Sequence, residues 1–207
     1  MKNTNNRRDI ILALNFLIIL GEVFGLFLRT YILQSPGLEF YTVVSNYISL
    51  FASLAVVHCI VARRPISRLA KLLRLAATIM LTVTFLVVIF ILPGNLQTPL
   101  WQLLFPGQMF FLHLICPILS IVTLLIFERY RFSRLEQDVV TLPTIIYALF
   151  IIIANLADVV NGPYPFIRQL MSDIVATLLA VVACYLLPRI MAAIFSKINA
   201  HTNLRKR

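Results

Sequence analysis

Residues 70–92 read AKLLRLAATIMLTVTFLVVIFIL, and no charged residue occurs from Leu75 to the end of the stretch. A helix crosses the hydrocarbon core of a bilayer in about 20 predominantly apolar residues, and this run meets that length. Five further stretches match it, over 9–33, 38–62, 106–127, 139–160 and 169–195, separated by connections rich in charge, Pro or Gly. The whole 207-residue chain is 60% hydrophobic and 13% charged; a soluble domain is about half apolar and about a quarter charged. A soluble core of this length would leave large apolar patches in water, and the mean hydropathy of +0.93 points to lipid as the solvent. A soluble enzyme, a secreted disulfide scaffold and a disordered chain are thereby excluded. The expected fold is all-α: a polytopic membrane protein with six transmembrane helices in one domain, 1–207, without repeat or linker.

The first stretch is not a secretory signal. Its apolar run is too long, no small-x-small cleavage pattern follows it, and Glu22 and Arg29 lie within it. The net charge of +10 reads as topology and not as a nucleic-acid surface, because cytoplasmic loops of membrane proteins collect Lys and Arg. Lys2, Arg7 and Arg8 precede helix 1; Arg63, Arg64, Arg68, Lys71 and Arg74 mark the 2–3 connection; Arg129, Arg131 and Arg134 mark the 4–5 connection; Lys197, Arg205, Lys206 and Arg207 lie near the C-terminus. Fifteen of the eighteen basic residues thus fall on one side, leaving Arg29 and Arg168 opposite and Arg189 within helix 6. Both termini are expected in the cytoplasm. The other connections, QSPGLE, LPGNLQTPLWQLLFPGQ and NGPYPFIRQ, carry little charge but much Pro, Gly and aromatic character. Trp101, Phe105, Tyr164 and Phe166 suit the headgroup zone, and the long 3–4 connection is expected to cap the bundle. Cys59, Cys116 and Cys184 lack CxxC spacing and read as small apolar fillers.

In a bilayer the informative residues are the polar ones within the spans. Helix 2 carries Thr42, Ser45, Asn46, Ser49 and Ser53, at offsets 0, 3, 4, 7 and 11, which fall on one helical face. The face must turn to the bundle interior, where the residues either pack helices closely or build a site. His113 lies well within helix 4, with Pro117 four residues later. Proline lacks the N–H that would bond the His113 carbonyl, so the helix is expected to loosen there. Thr42 and His113 both enter from the non-cytoplasmic side and belong to the outer leaflet, at a depth shared by Asn155 and Asp158 of helix 5 and Asp173 of helix 6. These groups form a candidate polar pocket below the aromatic cap. Glu22, near the middle of helix 1, needs a proton or a partner. Arg29 reaches it only with a stretched side chain; a tie to another helix, a proton relay or an ion site are the roles open to it.

A hydroxyl and an imidazole on facing helices can act as nucleophile and base: His takes the Thr proton as the oxygen attacks an ester, returns it to the leaving alkoxide, and water repeats the sequence in reverse. Asn46, and Ser45 beside it, are candidates to stabilise the oxyanion; Asp158, Asp173 or Asn155 are candidates to orient His113. Neither a GxSxG elbow nor an HExxH zinc motif is present, and no metal or organic cofactor is implied.

Three segments resemble the family of androgen-induced and androgen-dependent integral-membrane proteins and its bacterial six-span relatives. They are GLEFYTVVSNYISL, with an aromatic residue before Thr42; MFFLHLICPILSIVTLLIFE, with His113 four residues before Pro117; and NGPYPFIRQL, similar to the family's aromatic-YPF segment. With the six-span layout they cover nearly the whole chain. The resemblance implies an intramembrane threonine hydrolase of fatty-acid esters, with Thr42 as nucleophile and His113 as base, acting on membrane lipids in a bacterial plasma membrane. The VVSNY after Thr42 is more polar than the eukaryotic pattern. Lipid acyl transfer, and a non-enzymatic protein that binds or moves a lipid or solute, are the alternatives; Glu22, Asp158 and Asp173 favour the latter.

Overall fold

A computed structural model of the chain describes residues 2–128, 130–160 and 171–204, without the side chains of 2–5 and 201–204. The aromatic segment 161–170, with Tyr164, Phe166 and Arg168, lies outside the described residues, as do Arg129 and residues 205–207. The elements are α1 (Lys2–Leu33), α2 (Tyr41–Val61), α3 (Arg68–Phe90), α4 (Leu92–Leu96), α5 (Leu100–Leu104), α6 (Cys116–Val122), α7 (Arg134–Val139), α8 (Leu142–Leu156) and α9 (Ile174–Leu204). Two π-helical turns, Phe110–Ile115 and Thr123–Glu128, flank α6 and complete the fourth span. Six helices are long and apolar enough to cross a membrane, and no strand occurs among the described residues. The protein is an all-α integral membrane protein.

Local chemistry explains where the spans begin and end. Gly37 sits at φ +65 and its carbonyl accepts from the Phe40 N–H at 3.0 Å, so the chain turns there and α2 starts at Tyr41 instead of 38. Ser67 caps α3, accepting from Ala70 N at 3.1 Å. Ser133 and Glu136 form a reciprocal capping box on α7. This short helix lies ahead of the expected fifth span, and after turns at Val140 and Thr141 the span itself starts at Leu142 instead of 139. At the far end α8 stops at Leu156, before Asp158 at φ 53. The sixth span runs through Pro188 to Leu204, beyond the expected end at 195.

The 3–4 connection folds into the one-turn helices α4 and α5. Leu92, Leu103 and Leu104 pack against Val88 of α3, while Trp101 and Phe105 stay exposed. In the fourth span the loosening expected near Pro117 takes the form of the Phe110–Ile115 π-turn, in which Cys116 N bonds back to Phe111 O.

Helix α1 meets this span through two glycines. A Cβ at Gly21 would stand 2.8 Å from Cys116 Sγ, and one at Gly25 would stand 2.7 Å from Leu112 Cδ2. Gly21 and Gly25 are four residues apart, the small-xxx-small spacing that lets transmembrane backbones approach. The outward faces are covered with apolar side chains such as Phe51, Ile146, Ile153 and Leu179, the surface that lipid solvates.

Candidate functional site

Thr42 is the second residue of α2, and its position in that first turn matters more than the stripe below it. Phe40, which precedes the helix, supplies no side-chain cap. Its carbonyl accepts from Val43 N at 3.0 Å and Val44 N at 3.2 Å, but the backbone N–H of Thr42 has no acceptor among the described residues. Helix starts leave such donors unsatisfied and carry the positive end of the helix dipole.

Beside this turn lies a cavity of about 230 Å3 between α2, α3, α8 and α9. Its walls are apolar, with Val83, Val87, Ile151, Ala180 and Val181 among them, and its hydroxyls cluster near the start of α2. Each of these but one is engaged. The Tyr41 and Thr144 hydroxyls bond each other at 2.8 Å, and Thr84 bonds Ser45 at 3.1 Å. Tyr147 donates to Glu39 O at 2.7 Å, and Thr177 to Asp173 O at 3.0 Å. The Thr42 hydroxyl makes no hydrogen bond among the described residues, although it lines the same space.

His113 is held from the connection above it. Its Nδ1 lies 2.8 Å from the Leu103 carbonyl of α5. A carbonyl only accepts, so Nδ1 carries the hydrogen, and the neutral ring keeps its lone pair on Nε2. Nε2 has no hydrogen-bond partner among the described residues. Leu103 O therefore does the orienting that the shared depth of Asp158 and Asp173 had suggested for a carboxylate. Asp158 is exposed past the end of α8. Asp173 is also exposed and caps α9, accepting from Val175 N at 2.8 Å. Asn155 is half-buried and donates to Ile151 O at 2.8 Å within its own helix. None of the three holds His113.

Asn46 ties the two halves of the site together. Its Nδ2 donates to Thr42 O at 2.6 Å and to Leu112 O at 3.4 Å, joining the turn of Thr42 to the residue before His113. Val43 and Leu112 pack together with Leu26 at the same level. Asn46, a candidate to stabilise the oxyanion, has its amide hydrogens aimed at these two backbone carbonyls and braces the two segments. Ser45 is likewise committed, donating to Thr42 O at 2.8 Å. The backbones carrying Thr42 and His113 are thus adjacent, yet no hydrogen bond joins the two side chains, and His113 is not among the residues lining the cavity.

A second polar cluster lies deeper. Arg74, expected to mark the 2–3 connection, is fully buried inside α3, where its Nε stands 3.3 Å from Glu128 Oε1. Its Nη1 donates to Ser53 Oγ at 3.1 Å, and Asn15 Nδ2 donates to Glu128 Oε1 at 3.1 Å. Glu22 is fully buried nearby with Arg74 acting on it electrostatically. Arg29 turns away and donates to Ser35 O at 3.1 Å. The ion pair eluded the sequence because Arg74 closes a run of basic residues at the mouth of a span; only its place after two leucines hinted at burial.

Comparison with family models, curated proteins and solved structures found no match to this chain.

Proposed function

We propose that the chain is an intramembrane lipid-ester hydrolase of a bacterial plasma membrane, related to the androgen-induced and androgen-dependent family, with Thr42 as nucleophile and His113 as base. The observation that carries the reading is the state of the Thr42 hydroxyl: among the described hydroxyls lining the apolar cavity, it alone is without a hydrogen bond. A cavity of about 150 Å3 suffices for benzene, so about 230 Å3 receives a segment of acyl chain. An ester carbonyl at its polar end meets the Thr42 hydroxyl and the unsatisfied Thr42 N–H together. Attack turns the carbonyl oxygen into an oxyanion, and that N–H, at the positive end of α2, is the donor suited to hold it. Proton transfer from Thr42 to His113 Nε2 requires the ring, or one intervening water, to bridge the gap between the two side chains. Leu103 O keeps Nε2 as the basic nitrogen throughout.

The test is turnover of a panel of long-chain fatty-acid esters by the purified full chain. Thr42→Ala lowers kcat on the order of 10³-fold or more, Thr42→Ser retains measurable turnover, and His113→Gln lowers kcat by about 10²–10⁴-fold. Turnover that persists in Thr42→Ala overturns the assignment. The separation of His113 from the cavity wall favours a second reading, lipid binding without chemistry. Under that reading acyl chains protect the protein against thermal unfolding, and no ester is cleaved.

A further inference from the structure

The cluster between α1, α2, α3 and the fourth span contains a charge that the proposed hydrolysis does not use. Both oxygens of Glu22 are buried and make no hydrogen bond of regular geometry; the Ser49 hydroxyl of α2, itself without such a bond, and the Cys116 thiol are the neutral donors near enough to act on them. From the other packed elements the groups facing Glu22 are the Arg74 guanidinium of α3 and the Cys116 thiol of α6. Arg74 is already ion-paired with Glu128. Two carboxylates and one guanidinium leave one negative charge too many for an apolar interior, and a buried carboxylate without a partner neutralises itself. A metal ion is a poor neutraliser here. Hard cations need several oxygen ligands, whereas the neighbours of Glu22 are a thiol, a single hydroxyl and a cation that repels a second one.

We propose that Glu22 is a proton-binding site whose proton exchanges with water at the face carrying the start of α1 and the end of α2. Glu128 leads there: with Arg7, Arg8 and Arg64 it lines a cavity of about 300 Å3 at that face. Around the Arg74–Glu128 pair, Glu128 Oε2, Arg74 Nη2 and Asn15 Oδ1 are buried polar atoms with no hydrogen-bond partner among the described residues. Such atoms are the ones that ordered water serves. The site is independent of the Thr42 reading, because Glu22 does not line that cavity.

Dicyclohexylcarbodiimide, which attacks protonated carboxyls in apolar surroundings, tests this on the full chain in liposomes. The expected adduct maps to Glu22 on the tryptic peptide 9–29 and disappears in Glu22→Gln. Its rate is equal in sodium chloride and choline chloride, and falls about tenfold per pH unit once the carboxyl ionises. Infrared absorption supplies a readout free of reagent access: a carboxylic C=O band, lost in Glu22→Gln and shifted on transfer to heavy water. Protection by sodium overturns the proposal in favour of a metal cation. A Glu22-dependent ionised-carboxylate band overturns it in favour of a buried anion. A carboxylic band that heavy water leaves unshifted overturns the exchange.

Discussion

Thr42 sits in the first turn of α2, where neither its side chain nor its amide has a partner among the described residues. Ser45 illustrates the opposite case, with its hydroxyl shared between Thr42 O and Thr84. The same residue-scale reasoning applies to Arg74 and Glu128, both fully buried. Removing one member of a buried pair leaves an uncompensated charge and costs about 3–5 kcal/mol, whereas replacing both with apolar groups is often neutral. Arg74→Met is therefore expected to lower the yield of folded protein sharply, and Arg74→Met with Glu128→Leu to restore it. Size-exclusion chromatography in detergent reads the difference. Failure of the double variant to recover would mean that Arg74 also serves the unpaired oxygens around it.

At the scale of elements, α1 and the fourth span are in contact through glycines. A Cβ at Gly25 would also stand 3.0 Å from Leu112 Cγ and 3.1 Å from Phe111 Cβ. Gly25→Val is expected to destabilise the bundle by about 1–3 kcal/mol through overpacking. Gly94→Ala, with nothing within 4 Å of the added Cβ, is the neutral comparison; thermal unfolding in detergent measures both. The π-turn before Pro117 presents His113, and Leu103 O holds it. Pro117→Ala supplies the missing N–H and lets the His113 carbonyl rejoin a regular helix. The expected consequence is a loss of ester turnover of about 10²-fold, as for an ångström of misplacement, without loss of folded protein. Unchanged turnover would detach the π-turn from the site.

For the whole molecule, six spans were legible because a run of about 20 apolar residues is a property of one segment alone. The stripe from Thr42 to Ser53 was legible as a buried face for the same reason, and all five of its residues are buried. Relations between segments were less so. Shared depth placed Asp158 and Asp173 near His113, but depth gives no direction around a helix axis, and both carboxylates are exposed. The Arg74–Glu128 pair and the Leu103 carbonyl each depend on partners from separate spans or connections, which no local pattern signals. The charge asymmetry also yields a prediction at this scale: a fluorescent protein fused after Arg207 is expected to fold and fluoresce in the cytoplasm, while alkaline phosphatase there stays inactive. The reverse result would invert the topology and place Thr42 in the inner leaflet.

The most direct measurement is the mass of the covalent species. The purified chain is mixed with a fatty-acid ester or a fluorophosphonate, quenched and digested. One acyl or phosphonyl group is expected on the Thr42 hydroxyl, formed much more slowly in His113→Gln and absent from Thr42→Ala. An adduct on any other residue, or ester cleavage in Thr42→Ala at the unmutated rate, would contradict that assignment.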